Sequence, residues 1–80
     1  MDHFVYIIYS DEFDLYYKGY SLNPDQRLIQ HNNQESRYTA GKGLWRLVYK
    51  KAFLTKREAL AEERRIKRLN RTAILKLIAG

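Results

Sequence analysis

The chain predicts an α+β domain: a small three-stranded antiparallel sheet flanked by helices, in the order β-β-α-β-α-α. Three observations carry that expectation. The aromatic and β-branched runs FVYIIY (4–9) and LYYKGY (15–20) are separated only by the polar stretch SDEFD, which makes them a hairpin. The stretch NPDQRLIQH opens with a strong helix start. A third strand-like run, WRLVYKKAF (45–53), precedes a basic segment whose apolar residues recur at helical spacing.

Each element has a local reason. Phe4 to Tyr9 and Leu15 to Tyr20 are strands by composition, joined by the five-residue connection Ser10–Asp14. Gly19 inside the second strand marks either a bulge or a close approach to the backbone. Asn23 caps the first helix, Pro24 suits its first turn and Asp25 meets its dipole; the helix ends near Asn32-Asn33, with Leu28 and Ile29 expected to face the sheet. Gly41 and Gly43 keep RYTAGKG (37–43) irregular. In the third strand Trp45, Leu47 and Tyr49 alternate against Arg46, Val48 and Lys50. Thr55 can cap a long helix running to about Leu69. Asn70 or Thr72 starts a short last helix, with Ile74, Leu77 and Ile78 on one face.

Eighty residues suffice for one domain, 1–80, with one small core. The absence of cysteine excludes a disulfide framework and thiolate metal sites. No apolar run approaches the roughly 18–20 residues that span a bilayer, and Met1-Asp2-His3 lacks a signal-peptide pattern, so a soluble cytoplasmic location is expected. Charge is segregated. Residues 1–36 carry two basic and six acidic side chains, a net of −4, whereas residues 37–80 carry thirteen and three, a net of +10. A basic side of this kind suits a polyanion, although a well-solvated helix surface gives the same pattern.

Two groups of residues can carry chemistry. Arg27 and His31 lie four apart on the first helix and so point the same way, an arrangement fit for a phosphate or for plain solvated surface. On the long helix, with Ala59 at zero and about 100° per residue, Ile66, Leu69 and Leu60 define the buried stripe. Glu62 and Glu63 both fall inside that stripe, while Arg57, Arg64, Arg65 and Arg68 fall opposite. A carboxylate in an apolar stripe is costly unless it is paired, for instance with Arg27, or bound to a metal. The wheel does not choose between the two glutamates.

Taken together, Val5–Ile8, Tyr17–Gly19, Asn23–Asn32, Arg37–Thr39, Trp45–Tyr49 and Glu58–Glu63 resemble the GIY-YIG nuclease superfamily, and more narrowly its small stand-alone bacterial members described as predicted endonucleases with a UvrC-type nuclease domain. The likeness runs over nearly the whole chain, with Phe4-Val5-Tyr6 as the first signature and Tyr17-Lys18-Gly19 as the second. It implies catalytic roles for Tyr6, Tyr17, Arg27, His31 and Glu63. By that likeness Arg27 is expected to bind phosphate, and Glu63 rather than Glu62 to hold a single divalent ion, Mg²⁺ with Mn²⁺ as substitute. It also implies a nucleic-acid substrate, DNA in the first place. Asn70 is a further candidate near the metal by position.

Lys18, Arg37, Lys42, Lys50, Lys51, Arg64 and Arg68 are the candidates for holding the rest of the nucleic acid through its backbone. No base-reading unit is recognisable, so a structure-selective role in repair or recombination is expected, with any sequence specificity supplied by a protein partner. The competing readings are a catalytically idle nucleic-acid-binding module of the same fold and a small protein-interaction domain with a basic face.

Overall fold

The computed structural model describes residues 1–80. Its elements follow the expected order: β1 (His3–Ser10), β2 (Leu15–Ser21), α1 (Pro24–Asn32), β3 (Trp45–Phe53), α2 (Lys56–Lys67) and α3 (Arg71–Ala79). The sheet is antiparallel throughout, with strand order β2-β1-β3. The most apolar strand takes the centre because both of its faces are covered. Val5 and Ile7 pack with Ala59, Ile66 and Ile74 of α2 and α3. Tyr6 and Ile8 pack with Trp45, Leu28 and Leu47 on the side of α1.

Three local expectations are corrected. The hairpin connection is one residue shorter than its polar stretch, because Ser10 pairs with Leu15 and leaves Asp11–Asp14 to turn. Asp14 closes the turn at φ 53°, a left-handed conformation that aspartate tolerates better than most residues. Tyr9 donates to its carboxylate at 2.6 Å, and Arg71, at the start of α3, donates to its carboxylate and carbonyl at 2.9 Å. Strict alternation also fails in β3. Ile8 pairs with Leu47 but Ile7 pairs with Tyr49, so Val48 is the extra residue of a bulge. Trp45 and Leu47 therefore face the Tyr6 side, whereas both Val48 and Tyr49 reach the opposite core. Finally, Ile29 is 59% exposed rather than facing the sheet. The inward positions of α1 are Pro24, Leu28 and His31, spaced as one helical face, and that spacing turns Ile29 outward.

The helix starts are as read. Asn23, Thr55 and Asn70 each accept a backbone N–H three residues on, from Gln26, Glu58 and Ala73. α2 stops two residues short of Leu69, its last turn closed by the Arg68 N–H and followed at once by the Asn70 cap.

One polar side chain anchors the long 33–44 loop. Asn32, the last residue of α1, accepts from the Trp45 N–H at 2.7 Å and donates to the Trp45 carbonyl at 3.0 Å. It thereby serves the first residue of β3 as a neighbouring strand would. Asn32→Ala leaves both Trp45 backbone groups without that partner, and should lower unfolding stability by about 1–3 kcal/mol in denaturant titrations. An unchanged midpoint would show that the loop does not depend on this clamp.

Candidate active site

The centre of the site is Tyr6. Its register partner across β1 and β2 is Gly19, and the phenol lies over that glycine. A β-carbon on Gly19 would sit 2.5 Å from the Tyr6 hydroxyl oxygen and 2.6 Å from Cζ. No bulge interrupts the β1–β2 register here, so the glycine serves the close approach. Lying across the strand, the ring is 1% exposed and its hydroxyl comes within 3.0 Å of His31 Nε2.

Behind Tyr6 runs a buried polar line. His31 is fully buried, and its Nδ1 meets Thr39 Oγ1 at 2.8 Å, while the Thr39 carbonyl accepts from the Trp45 indole at 3.2 Å. Burial, seconded by the Arg27 charge, lowers the His31 pKa to about 4, so the imidazole is neutral at ordinary pH. A neutral ring donates through one nitrogen and accepts through the other, which ties the Tyr6 and Thr39 hydrogen bonds to each other. Burial likewise pushes Tyr6 up to about 12; Tyr17 adds to the rise, Arg27 opposes it and Glu63 adds a smaller increment. The Tyr17 ring stands edge-on to His31 with centroids 5.0 Å apart.

Arg27 and Glu63 bring the charges. Arg27 is half-buried and donates to Gln30 at 2.9 Å. Glu63 leaves 17% of its side chain exposed and has a single ion-pair partner, Lys67, at 3.6 Å. Glu62 is as sheltered, at 15%, but engaged differently: Arg65 grips it with two hydrogen bonds of 2.7 and 2.8 Å, which hold its pKa down. Its charge acts on Tyr49, whereas that of Glu63 acts on Tyr6. The two adjacent carboxylates thus serve different sides of α2. Neither pairs with Arg27.

No cluster of three acidic or histidine side chains stands ready as a metal cage. A lone carboxylate fits a hard cation that keeps most of its waters and takes its remaining ligands from a substrate phosphate, as Mg²⁺ does.

Two depressions mark the neighbourhood. An open cleft of about 420 Å³ includes Tyr20, Asn23, Gln26, Arg27, Gln30 and Lys56 in its lining. A groove of about 290 Å³ is lined by Tyr16, Tyr17, Lys18, Tyr38 and Lys67. Lys56, Lys67 and Thr39 were not singled out in the sequence. The signal for the lysines was available: positions 56, 63 and 67 share one edge of α2 at helical spacing. Thr39 stood only within the Arg37–Thr39 likeness, because its contact with His31 depends on where the loop returns.

The basic candidates are spread over β2, β3, the 33–44 loop and α2 with its C-cap. Lys50 and Lys51 are consecutive on β3; Lys50 approaches Asp25 at 3.9 Å, while Lys51 is near Glu62. Arg64 is exposed on α2 and Arg68 at its C-cap, and Arg37 is exposed in the loop. Lys42 lies over the Tyr38 ring, 4.3 Å from its centre, and Lys18 lines the groove. Asn70 caps α3 with its side-chain oxygen.

Known proteins resemble this chain in sequence and in fold. Residues 2–76 match the family model described as the GIY-YIG catalytic domain. A UPF0213 protein of Oceanobacillus iheyensis is 43% identical over 77 residues, covering 95% of this chain and 88% of the relative. One from Staphylococcus saprophyticus is 41% identical over 78 residues, with 96% and 94% covered. The solution NMR structure of a UPF0213 protein from Bacillus halodurans superposes with a TM-score of 0.63 at 35% identity, over 99% of this chain and 84% of that one.

Two predictions follow from the Tyr6–His31 pair. Gly19→Ala should drive the phenol off the strand, costing about 1–3 kcal/mol and breaking the bond to His31; unchanged imidazole NMR resonances and melting temperature would contradict this. The second concerns pH. The folded-state value of His31, about 4, lies below its ordinary 6.5, so the unfolded chain takes up a proton that the folded chain refuses. Stability is therefore present above pH 6.5 and lost as pH falls toward 4, by about 2–3 kcal/mol at about 1.4 kcal/mol per unit. The lowered carboxylates Asp11, Asp14 and Glu62 titrate at more acid pH. Denaturation at pH 6.5 and 5 should thus show a stability difference that His31→Gln removes; equal pH slopes in the two proteins would take His31 out of this role.

Proposed function

This chain belongs to the GIY-YIG family, and on that premise we propose that it is a metal-dependent endonuclease hydrolysing phosphodiester bonds in DNA, structure-selective and acting in cytoplasmic repair or recombination. One observation carries the reading. A buried phenol, backed by a neutral imidazole, shares its surroundings with one guanidinium and one lone carboxylate.

Each group then has a task. Arg27, with donors to spare beyond its bond to Gln30, gives two parallel hydrogen bonds to non-bridging phosphate oxygens, a task for which lysine lacks the planar fork. Glu63 would hold the divalent cation, which would supply charge neutralisation at the scissile phosphate. Lys67 is poised to leave Glu63 for a phosphate, since the pair is loose at 3.6 Å and the lysine itself is exposed. Tyr6 is the candidate to take the proton of the attacking water. Burial works against its phenolate and Arg27 works for it. Tyr6 takes that proton as the phenolate, while His31 stays neutral and fixes its direction; with its proton on Nε2 the imidazole donates to the Tyr6 oxygen, and its Nδ1 accepts from Thr39 Oγ1. Arg64 and Arg68, which have no carboxylate partner, serve the outlying phosphates.

A second reading, a nucleic-acid-binding module without hydrolysis, draws on the same basic half and on the burial that keeps Tyr6 protonated. Adjacent glutamates separate the two. Glu63→Gln should abolish nearly all Mg²⁺-dependent cleavage of branched, flapped or single-stranded substrates, while folding and binding persist. Glu62→Gln should keep cleavage and lose only the Arg65 pair, worth about 0–1 kcal/mol. Loss of activity in the Glu62 variant alone would reverse the assignment, and wild-type protein that binds but never cleaves would establish the binding module.

A further inference from the structure

Tyr38 is not used by any part of the hydrolytic reading, and a tyrosine is an expensive residue to leave in water. It is 56% exposed. Its ring meets that of Tyr17 with centroids 5.4 Å apart and planes opened by 37°, so the two diverge rather than stack closed. Beside them lies the groove of about 290 Å³ that both rings line, its remaining lining supplied by Tyr16 and two cations, Lys18 and Lys67. Lys42 lies over the Tyr38 ring and donates to the Tyr38 carbonyl, which steadies the ring; it does not line the groove. Tyr17 stands against His31, and Lys67 pairs with Glu63, so the groove abuts the candidate site itself.

Aromatic faces between lysines form a recognisable chemistry. A base has a π-face whatever its identity, and stacking on tyrosine binds it without reading its edge, while the lysines meet the phosphates on either side. A base inside a duplex offers no such face, because its neighbours cover it. The groove therefore discriminates by pairing state rather than by sequence.

We propose that the Tyr17–Tyr38 groove receives an unpaired nucleobase of the strand whose phosphate lies at Arg27 and Glu63, making single-stranded nucleic acid, or a single-stranded segment of a branched one, the preferred ligand. The proposal rests on reading the site as one for a nucleic-acid strand, and it names the feature that makes such a site structure-selective. Tyr38 binds the base by stacking, Tyr17 forms the inner wall, and Lys18 and Lys67 hold the adjoining phosphates.

The test measures binding without metal in the Glu63→Gln protein, so that no outcome depends on cleavage. Fluorescence anisotropy would compare a short oligothymidylate, the matching oligouridylate and a duplex of equal length; the two single strands decide between DNA and RNA. Tyr38→Ala should weaken single-strand binding by about 5- to 100-fold, the loss of one stacked base. Tyr38→Phe should stay within about two-fold and Tyr38→Leu should resemble the alanine variant, since both keep bulk but only phenylalanine keeps the π-face. Duplex binding should be unchanged in all three. Equal losses for duplex and single strand, or full affinity in Tyr38→Ala, would overturn the proposal. A groove that fails while the wild type still cleaves leaves the nuclease reading intact; a groove that succeeds in a protein that never cleaves overturns that reading alone.

Discussion

The position of the Tyr6 ring depends on a missing atom. With no β-carbon at Gly19, the phenol can lie across β2 and bring its hydroxyl to His31. From there the buried hydrogen bonds run to Thr39 and on to the Trp45 indole, so one glycine in the sheet fixes a histidine on α1 and a threonine in the following loop. In such a network every member must be satisfied, because an orphaned polar group in this interior costs more than the bond it lost. None is orphaned: every buried side-chain nitrogen and oxygen has a partner.

The electrostatics follow from the same burial. A phenol and an imidazole placed side by side in a dry setting are each driven toward their neutral forms, the first upward and the second downward. Arg27 then acts on both, favouring the anion of one and disfavouring the cation of the other. A single guanidinium thus biases the pair toward a state in which Tyr6, not His31, bears any charge. On α2 the same economy appears in Glu62 and Glu63, where one carboxylate is closed off by Arg65 and its neighbour is left with only a loose lysine.

Much of this was legible in the sequence, and the failures have physical reasons. Element order, the three helix caps and the buried stripe of α2 follow from local chemistry that acts within three or four residues. The spacing of Arg27 and His31 was readable too, but not that His31 would be entirely buried, because that depends on Thr39 returning over it from eight residues away. The bulge at Val48 escaped because alternation in WRLVYK looks regular, and only pairing with β1 shows which residue is extra. Choosing between Glu62 and Glu63 required family likeness, since both lie in one apolar stripe; the neighbours that differentiate them, Tyr49 and Tyr6, come from two different strands, β3 and β1.

A sheet of three strands has two open margins, and here both are β-strands whose outer backbone groups have no neighbouring strand. Such margins invite a second copy of the chain to dock by backbone pairing. One carries Lys18 and the other Arg46, Lys50 and Lys51, so two chains meeting edge to edge would bring like charges into register. The cations thus have a colloidal duty apart from any ligand. A chain stripped of them would be prone to self-association, and turbidity at raised concentration would register that loss even where no nucleic acid is present.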